Sequence, residues 1–244
     1  MRKIITEPIR MVNEVIYSRD LKVAICDTDT KLKEYILSPE IEKIDMNCFE
    51  ANHNMESIIL PNKKPLTIES AAFHYCSNLK EIELPNNITY IEQAAFANCY
   101  NLKKVLFNAK DDIIRSYIFF NCRKLEEITL PEGVIEICPN AFCGCISLKK
   151  IVLPDSLKWI DAHSFNNCPN LKTISLPKNV IVGKAFDDTI ENIYIDKETL
   201  DKNPDFKSLY EGKFKERKSL DDLLSEGKSL KEISNIYKTY NIEK

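Results

Sequence analysis

Cysteine has the most regular spacing of the reactive residue types in this chain. Five cysteines follow one another at steps of 23 residues: Cys76, Cys99, Cys122, Cys145 and Cys168. On adjacent units of a stacked repeat their Cα atoms would be about 5 Å apart, which is within reach of disulfide geometry. However, the total of nine cysteines is odd, and a thiol also fills a core as a small apolar group. We expect reduced, buried thiols, although the spacing itself leaves bridges open.

Metal and histidine chemistry find little support. Cys138, Cys143 and Cys145 are near one another, but no pair has the two-residue gap of a zinc knuckle. The chain has three histidines, which fall at different positions of the repeat described below: His53, His74 and His163. Stacking therefore does not bring them together. We predict no metal site and no histidine-based catalytic site.

Glycine, the residue of phosphate-binding loops, is scarce. The five glycines lie far apart, at positions 133, 144, 183, 212 and 227, so no dinucleotide or phosphate motif can form. With no catalytic, cofactor or metal residue to propose, we expect a protein that is not an enzyme and needs no cofactor.

The charge balance is nearly even. Among 244 residues, 34 Lys and Arg oppose 37 Asp and Glu, which gives a net charge of -3. No global positive field exists to attract a phosphate backbone, so nucleic acid is not an expected partner. The start, Met1 to Pro8, lacks the apolar run of a secretory signal, and no apolar stretch is long enough to span a membrane. We expect a cytoplasmic protein; the alternative is a surface or secreted protein exported by a signal not seen here.

An internal repeat organises the chain. Besides the cysteines, phenylalanine recurs every 23 residues from Phe73 to Phe165, leucine from Leu79 to Leu171, and a β-branched residue from Ile82 to Ile174. One unit has the pattern Ile-x3-Ala-Phe-x2-Cys-x2-Leu-x2-Ile-x-Leu-Pro. Shorter or altered units extend it at both ends, which gives eight strand positions. A period of this length is typical of a solenoid.

Each unit divides into two parts. Leu-x2-Ile-x-Leu alternates as a short strand does, and the Pro that follows lacks the N–H needed to continue a ladder. The Ala-Phe-x2-Cys part, with apolar residues three apart, predicts a short helical or 3₁₀ return. Stacked units would place the Phe, Leu and Ile series over one another as a continuous core.

This pattern resembles the BspA-like leucine-rich-repeat family, and the match covers residues 32–195. The resemblance implies a curved solenoid that binds proteins, with no enzyme activity. Family members include surface proteins that adhere to host or matrix proteins, so an adhesin is the alternative function. The fold class is therefore an α/β repeat: a leucine-rich-repeat solenoid of about eight strands.

The ends of the chain fall outside the repeat. We predict an N-terminal cap over residues 1–31, with strands at Val12–Tyr17 and Lys22–Ile25, the solenoid over residues 32–200, and a C-terminal helical cap or tail over residues 201–244. The tail contains capping-box patterns at Ser219 and Ser229. Part of it resembles the opening helices of a helix-turn-helix module, but its ten basic and nine acidic residues favour a cap or partner-binding helix pair over DNA binding.

The strands should present one face to solvent, called the strand face below. One set of outward residues alternates in charge: Glu81, Lys104, Glu127 and Lys150. The neighbouring set, called the outward stripe, is rich in apolar residues: Ile36, Ile59, Glu83, Leu106, Thr129, Val152, Ser175 and Tyr194. Exposed apolar groups often mark an interface, although β-branched residues also simply favour strands.

We therefore predict a monomer that binds another protein across this face. The predicted partner-binding residues are Ile59, Glu83, Lys104, Leu106, Thr129, Lys150, Val152 and Tyr194.

Overall fold

The chain folds into a β-solenoid of about eight turns followed by a short helical tail. The computed structural model describes residues 9–12, 15–18, 20–27, 31–218 and 220–239. The predicted solenoid is confirmed, with the repeated apolar columns at its centre.

The predicted strand positions form the strand face. The strands pair in parallel in three groups, β4–β6, β8–β10–β12–β14 and β16–β18–β19. Their bounds are β4 (Glu34–Ile36), β6 (Ser57–Ile59), β8 (Glu81–Leu84), β10 (Lys104–Phe107), β12 (Glu127–Thr129), β14 (Lys150–Val152), β16 (Thr173–Ser175), β18 (Asn192–Ile195) and β19 (Phe214–Glu216). The eight predicted strands are present, and β19 is a ninth that the repeat pattern did not indicate.

A second set of short strands, called the second face, lies on the return side of each turn. These strands are β5 (Lys43–Ile44), β7 (Leu66–Ile68), β9 (Ile88–Ile91), β11 (Ile113–Ile114), β13 (Glu136–Ile137), β15 (Trp159–Ile160) and β17 (Ile181–Val182). They pair in parallel with their neighbours, except between β9 and β11. There the buried carboxylate of Asp111 accepts the Ile91 N–H at 2.6 Å and so satisfies the strand end.

The return segment is not helical, contrary to our prediction. Within residues 31–195 it consists of successive turns. Its backbone N–H groups donate alternately to the next coil and to the same coil. The N–H of Phe73 donates to Ala95 of the next coil, whereas the N–H of Cys76 donates three residues back to Phe73. Left-handed residues such as Ala71 (φ 55°) and Tyr75 (φ 60°) produce this alternation. Each turn is therefore tied both to itself and to its neighbour.

The core is a stack of aromatic rings. Seven phenylalanines from Phe49 to Phe186 stack with ring centroids 5.1 to 5.7 Å apart. Beside this stack, the Cys76 thiol donates to the carbonyl oxygen of Phe49 at 3.1 Å, and the same bond recurs on the next four coils. Burial raises the pKa of these thiols, so they stay protonated and can donate this hydrogen bond. The cysteines thus act as hydrogen-bond donors as well as apolar filling.

The N-terminal segment adds strands to the second face. β1 (Ile9–Val12) pairs antiparallel with β2 (Val15–Ser18), β2 pairs antiparallel with β3 (Val23–Asp27), and β3 pairs in parallel with β5. A buried polar contact fixes this junction, because Asn52, which occupies the cysteine position of the first full coil, donates to Asp27 and Tyr35. The capping role of the segment stays a prediction.

The C-terminal segment packs onto the last coil. Its helices are α1 (Lys197–Asp201), α2 (Pro204–Leu209), α3 (Leu220–Ser225) and α4 (Leu230–Thr239). The Asn203 side chain accepts the Val182 N–H at 2.8 Å and donates to the Val180 carbonyl at 2.9 Å. Phe206 and Tyr210 extend the phenylalanine stack beyond Phe186.

One predicted cap of the tail is present. At the start of α4, Ser229 and Glu232 exchange hydrogen bonds, as in a capping box. Ser219 lies outside the described residues.

Candidate functional site

The outward stripe is a physical row on the strand face. Adjacent strands bring its members together as register partners: Ile36 with Ile59, Glu83 with Leu106, Thr129 with Val152, and Ser175 with Tyr194. The inner residues of the same strands, such as Ile82 and Val105, are buried. The strand register deduced from the repeat is therefore the register of the structure.

A shallow groove of about 320 Å³ crosses the middle of this row. Five of the eight predicted partner-binding residues line it: Lys104, Leu106, Thr129, Lys150 and Val152. The other three lie elsewhere, Ile59 and Glu83 on preceding strands and Tyr194 near the C-terminal end. Phe107, Asn108 and Pro131 also line the groove, although we did not predict them. They come from the ends of strands, where the outward and inward alternation gives no signal.

Solvent exposure falls along the outward stripe from the N-terminal to the C-terminal coils. Ile36 is 65% exposed, Ile59 61% and Leu106 44%. Val152 and Tyr194 are half-buried, and Ser175 is only 8% exposed. Large apolar side chains that remain open to water on a regular sheet are candidates for contact with a partner.

Arg217 lies near the buried end of the stripe. It follows β19 and reaches back across the sheet, where its guanidinium donates to the Leu176 carbonyl and lies 3.6 Å from the Asp155 carboxylate. The nearby hydroxyl of Ser175 is buried and has no hydrogen-bond partner among the residues that the structure describes. The C-terminal tail thus closes one end of the strand face.

Charged side chains border the groove at the strand starts. The alternating residues Glu81, Lys104, Glu127 and Lys150 are register neighbours, as the repeat spacing predicts. Ion pairs also form one residue earlier in each coil, which we did not predict. Lys33 and Lys80 flank Glu56, and Lys103 and Lys149 flank Glu126 at 3.3 and 3.5 Å. The 23-residue spacing of these charged residues could have predicted the ion pairs.

The ion pairs shift the acidity of their carboxyl groups. Hydrogen bonds from Lys33 and Lys80 lower the pKa of Glu56 to about 2. A hydrogen bond from Lys103 likewise lowers the pKa of Glu126. Both carboxylates are therefore charged at neutral pH and fix the flanking lysines at the edge of the strand face.

A separate cluster of potential ligands lies on the second face. Glu136, Cys138 and Asp161 have ligand atoms within 4.8 Å of one another. The sequence did not group them, because they belong to two successive coils. The Cys138 thiol donates to Glu136 at 3.4 Å, and burial together with that bond raises its pKa to about 12. The three groups therefore form a hydrogen-bonded thiol–carboxylate pair beside a second carboxyl group.

Comparison with protein families decides the identity of the fold. The family model described as "BspA type Leucine rich repeat region" matches residues 26–126 and 112–235. The chain belongs to the BspA-type leucine-rich repeat family. This family suggests a protein-interaction or surface-protein role, and leucine-rich repeat solenoids are typically non-enzymatic. No curated protein matches the chain.

Among the solved structures similar to this chain are three leucine-rich repeat proteins. A leucine-rich repeat protein from Eubacterium ventriosum has 24% identity and a TM-score of 0.68, with 78% of this chain and 50% of that chain covered. One from Bacteroides ovatus has 20% identity and a TM-score of 0.57, with 82% and 66% covered. The T. pallidum leucine-rich repeat protein has 21% identity and a TM-score of 0.57, with 74% and 80% covered.

These likenesses support the fold alone. This chain spans only half the length of the Eubacterium ventriosum protein and 66% of the Bacteroides ovatus protein. In the part of the chain that the structure describes, no helix has the length and apolar character needed to cross a membrane.

Proposed function

We propose that this BspA-type protein is a non-catalytic interaction module that binds a protein partner through the open part of its strand face. The observation that carries the proposal is the groove bounded by Leu106, Thr129 and Val152. A rigid sheet holds these side chains in place before a partner arrives, so little conformational entropy is lost on binding.

The chemistry of the groove indicates what it would accept. Its lining includes the apolar side chains of Leu106 and Val152 and, along the strand starts, the charged side chains of Lys104, Glu127 and Lys150. An apolar side chain of the partner would fill the groove, and charged groups beside it would pair with the two lysines and with Glu127. Interface energy is usually concentrated in such a few central apolar contacts, and the surrounding charges mainly steer and orient.

The proposal can be tested in cells that produce the native protein. A photo-crosslinking residue, p-benzoyl-phenylalanine, would replace Leu106 in the full chain. The matched control carries the same residue at Ile181, which lies on the second face and is 45% exposed against 44% for Leu106. The proposal predicts one discrete protein adduct from position 106 and none of the same mass from position 181. Equal labelling from both positions, or labelling from position 181 alone, would contradict it.

The cellular compartment stays a prediction. Fractionation of native cells would decide between a cytoplasmic partner and an extracellular one, as the adhesin alternative requires.

A further inference from the structure

A row of aromatic side chains lies on the turn edge of the solenoid, away from the strand face. Three successive coils supply it: Tyr75, Tyr100, and Tyr117 with Phe120. The Tyr75 and Tyr100 rings meet edge to face at 6.1 Å, and those of Tyr117 and Phe120 at 5.6 Å. Tyr75 and Tyr117 are 38% and 44% exposed. These rings do not belong to the core stack.

Two of the tyrosines occupy backbone positions that suit other residue types. Tyr75 and Tyr117 are left-handed, with φ of 60° and 61°. The equivalent residues of neighbouring coils are Asn98, Asn121 and Gly144 at the first position, and Ala94, Asn140 and His163 at the second. Asn and Gly tolerate this conformation, whereas a bulky side chain is strained there. Since both rings are open to solvent, core packing does not explain why strain is accepted at these two positions.

A hydrogen-bonded row of polar side chains supports the aromatic row. Glu50 contacts the His74 ring at 3.1 Å, His74 contacts the Asn98 amide at 3.1 Å, and the Asn121 amide donates to Asn98 at 3.1 Å. The Tyr75 ring packs on His74 at 4.4 Å. The Tyr75 ring is therefore held against a hydrogen-bonded row. The row ends at Asn121, whose side-chain oxygen would lie 2.3 Å from a Cβ at Gly144.

Few charged side chains lie in the turns that carry the rings, although Glu50 of the preceding coil contacts His74. In the turns at residues 70–78, 93–101 and 116–124, only Arg123 and Lys124 carry a full charge. The other polar residues are amides, hydroxyls and His74. The Arg123 guanidinium lies 4.8 Å above the Tyr100 ring, and the Asn140 amide donates to the Tyr117 hydroxyl at 3.4 Å. Such a surface complements a neutral ligand that offers both apolar faces and many hydroxyl groups.

We propose that this aromatic turn edge is a carbohydrate-binding site for a neutral oligosaccharide. The C–H faces of sugar rings would pack on Tyr75 and Tyr117, the two exposed tyrosines, which lie two coils apart. The sugar hydroxyls would bond to the neighbouring amides and to Arg123. This site goes beyond the protein partner proposed for the strand face and stands independently of it.

The test uses the full chain and three neutral probes, cellohexaose, maltohexaose and chitohexaose, in isothermal titration calorimetry. The variant Tyr75→Asn/Tyr117→Asn installs the residue that other coils use at each position. The site predicts that at least one hexaose binds, and that the variant binds it at least about tenfold more weakly. The melting temperature of the variant should be unchanged or higher, because the backbone strain is relieved. The control Trp159→Ser, at an exposed ring on the second face, should bind as the parent does.

Several results would overturn the site. One is that none of the three hexaoses binds at millimolar concentration, and another is that the double variant binds as tightly as the parent. A third is that a hexaglutamate peptide binds in an Arg123-dependent manner while the sugars do not, which would assign the edge to acidic peptides. If the variant melts lower than the parent, Tyr100→Ser replaces it in the same titration, since that position is not left-handed; unchanged binding there would also reject the site.

Discussion

The two ends of the outward stripe differ although they occupy the same positions of the repeat. Toward the N-terminal coils, Ile36, Ile59 and Leu106 are open to solvent. Toward the C-terminal coils, Ser175 is buried next to the Leu176 carbonyl that Arg217 of the tail contacts, and Tyr194 is half-buried. The repeat determines which way a side chain points, but residues far away in sequence determine whether it can be reached. A contact surface on a solenoid must therefore be judged with its terminal segments in place.

The largest effect should come from removing the segment that closes the C-terminal end. A chain ending at Leu200 loses Asn203, Phe206 and Tyr210, so the Val182 N–H and the Phe186 ring are uncovered. We expect a loss of roughly 5 kcal/mol in the free energy of unfolding, measured by urea denaturation. A chain ending at Glu216 keeps all three residues and should lose clearly less. Equal losses from both truncations would show that the last two helices, rather than these residues, support the closed end.

The next effect concerns Arg217, which spans the closed end. Arg217→Met keeps much of the side-chain volume but removes the hydrogen bond to Leu176 and the ion pair with Asp155. Because this guanidinium is largely buried, we expect a cost of about 1–2 kcal/mol by thermal or chemical denaturation. Hydrogen exchange should also become faster in β16. Unchanged exchange in that strand would mean that Arg217 does not hold the closed end shut.

A change of opposite sign is expected at Ser175. Its hydroxyl is buried and finds no partner within the described part of the chain, so Ser175→Ala removes an unsatisfied polar group. We expect the variant to be more stable by about 1 kcal/mol in urea denaturation. The matched variant at the open end, Thr129→Ala, removes an exposed hydroxyl and should change stability by less than about 0.5 kcal/mol. Destabilisation by Ser175→Ala would show that the hydroxyl has a partner in solution.

The smallest effect is a pH dependence at the open end. The pKa of Glu56 is lowered from 4.5 to about 2 by Lys33 and Lys80. Since the folded pKa lies below the unfolded value, this carboxylate stabilises the fold above pH 4.5, and the contribution is lost as the pH falls toward 2. Glu56→Gln should therefore make acid unfolding less steep within that window, as followed by circular dichroism. An unchanged slope would mean that the ion pairs are open in solution.

Much of the fold could be predicted because the repeat is regular. The Phe, Leu and Ile series identified the core, and Leu-x2-Ile-x-Leu identified eight strands and their register. The second face was missed because strands such as β5 and β11 have only two residues and show no alternation. β19 was missed because Phe214-Lys215-Glu216 does not follow the repeat pattern.

The candidate site was predictable in part. The outward direction of Leu106 and Val152 follows from strand alternation. The burial of Ser175 does not follow from it; the neighbouring Leu176 carbonyl is contacted by Arg217, which lies 41 residues later in the chain. Likewise, the aromatic residues of the turn edge occupy different repeat positions in different coils. No single position of the repeat therefore predicts them.

We propose that the open strand face holds a protein partner through Leu106 and Val152. The most direct test is the dissociation constant of the captured partner for the double variant Leu106→Ser/Val152→Ser, with Ile181→Ser as the control. We predict about a hundredfold weaker binding by the double variant, with no fall in melting temperature, and unchanged binding by the control. A double variant that binds its partner as tightly as the parent protein would contradict the claim.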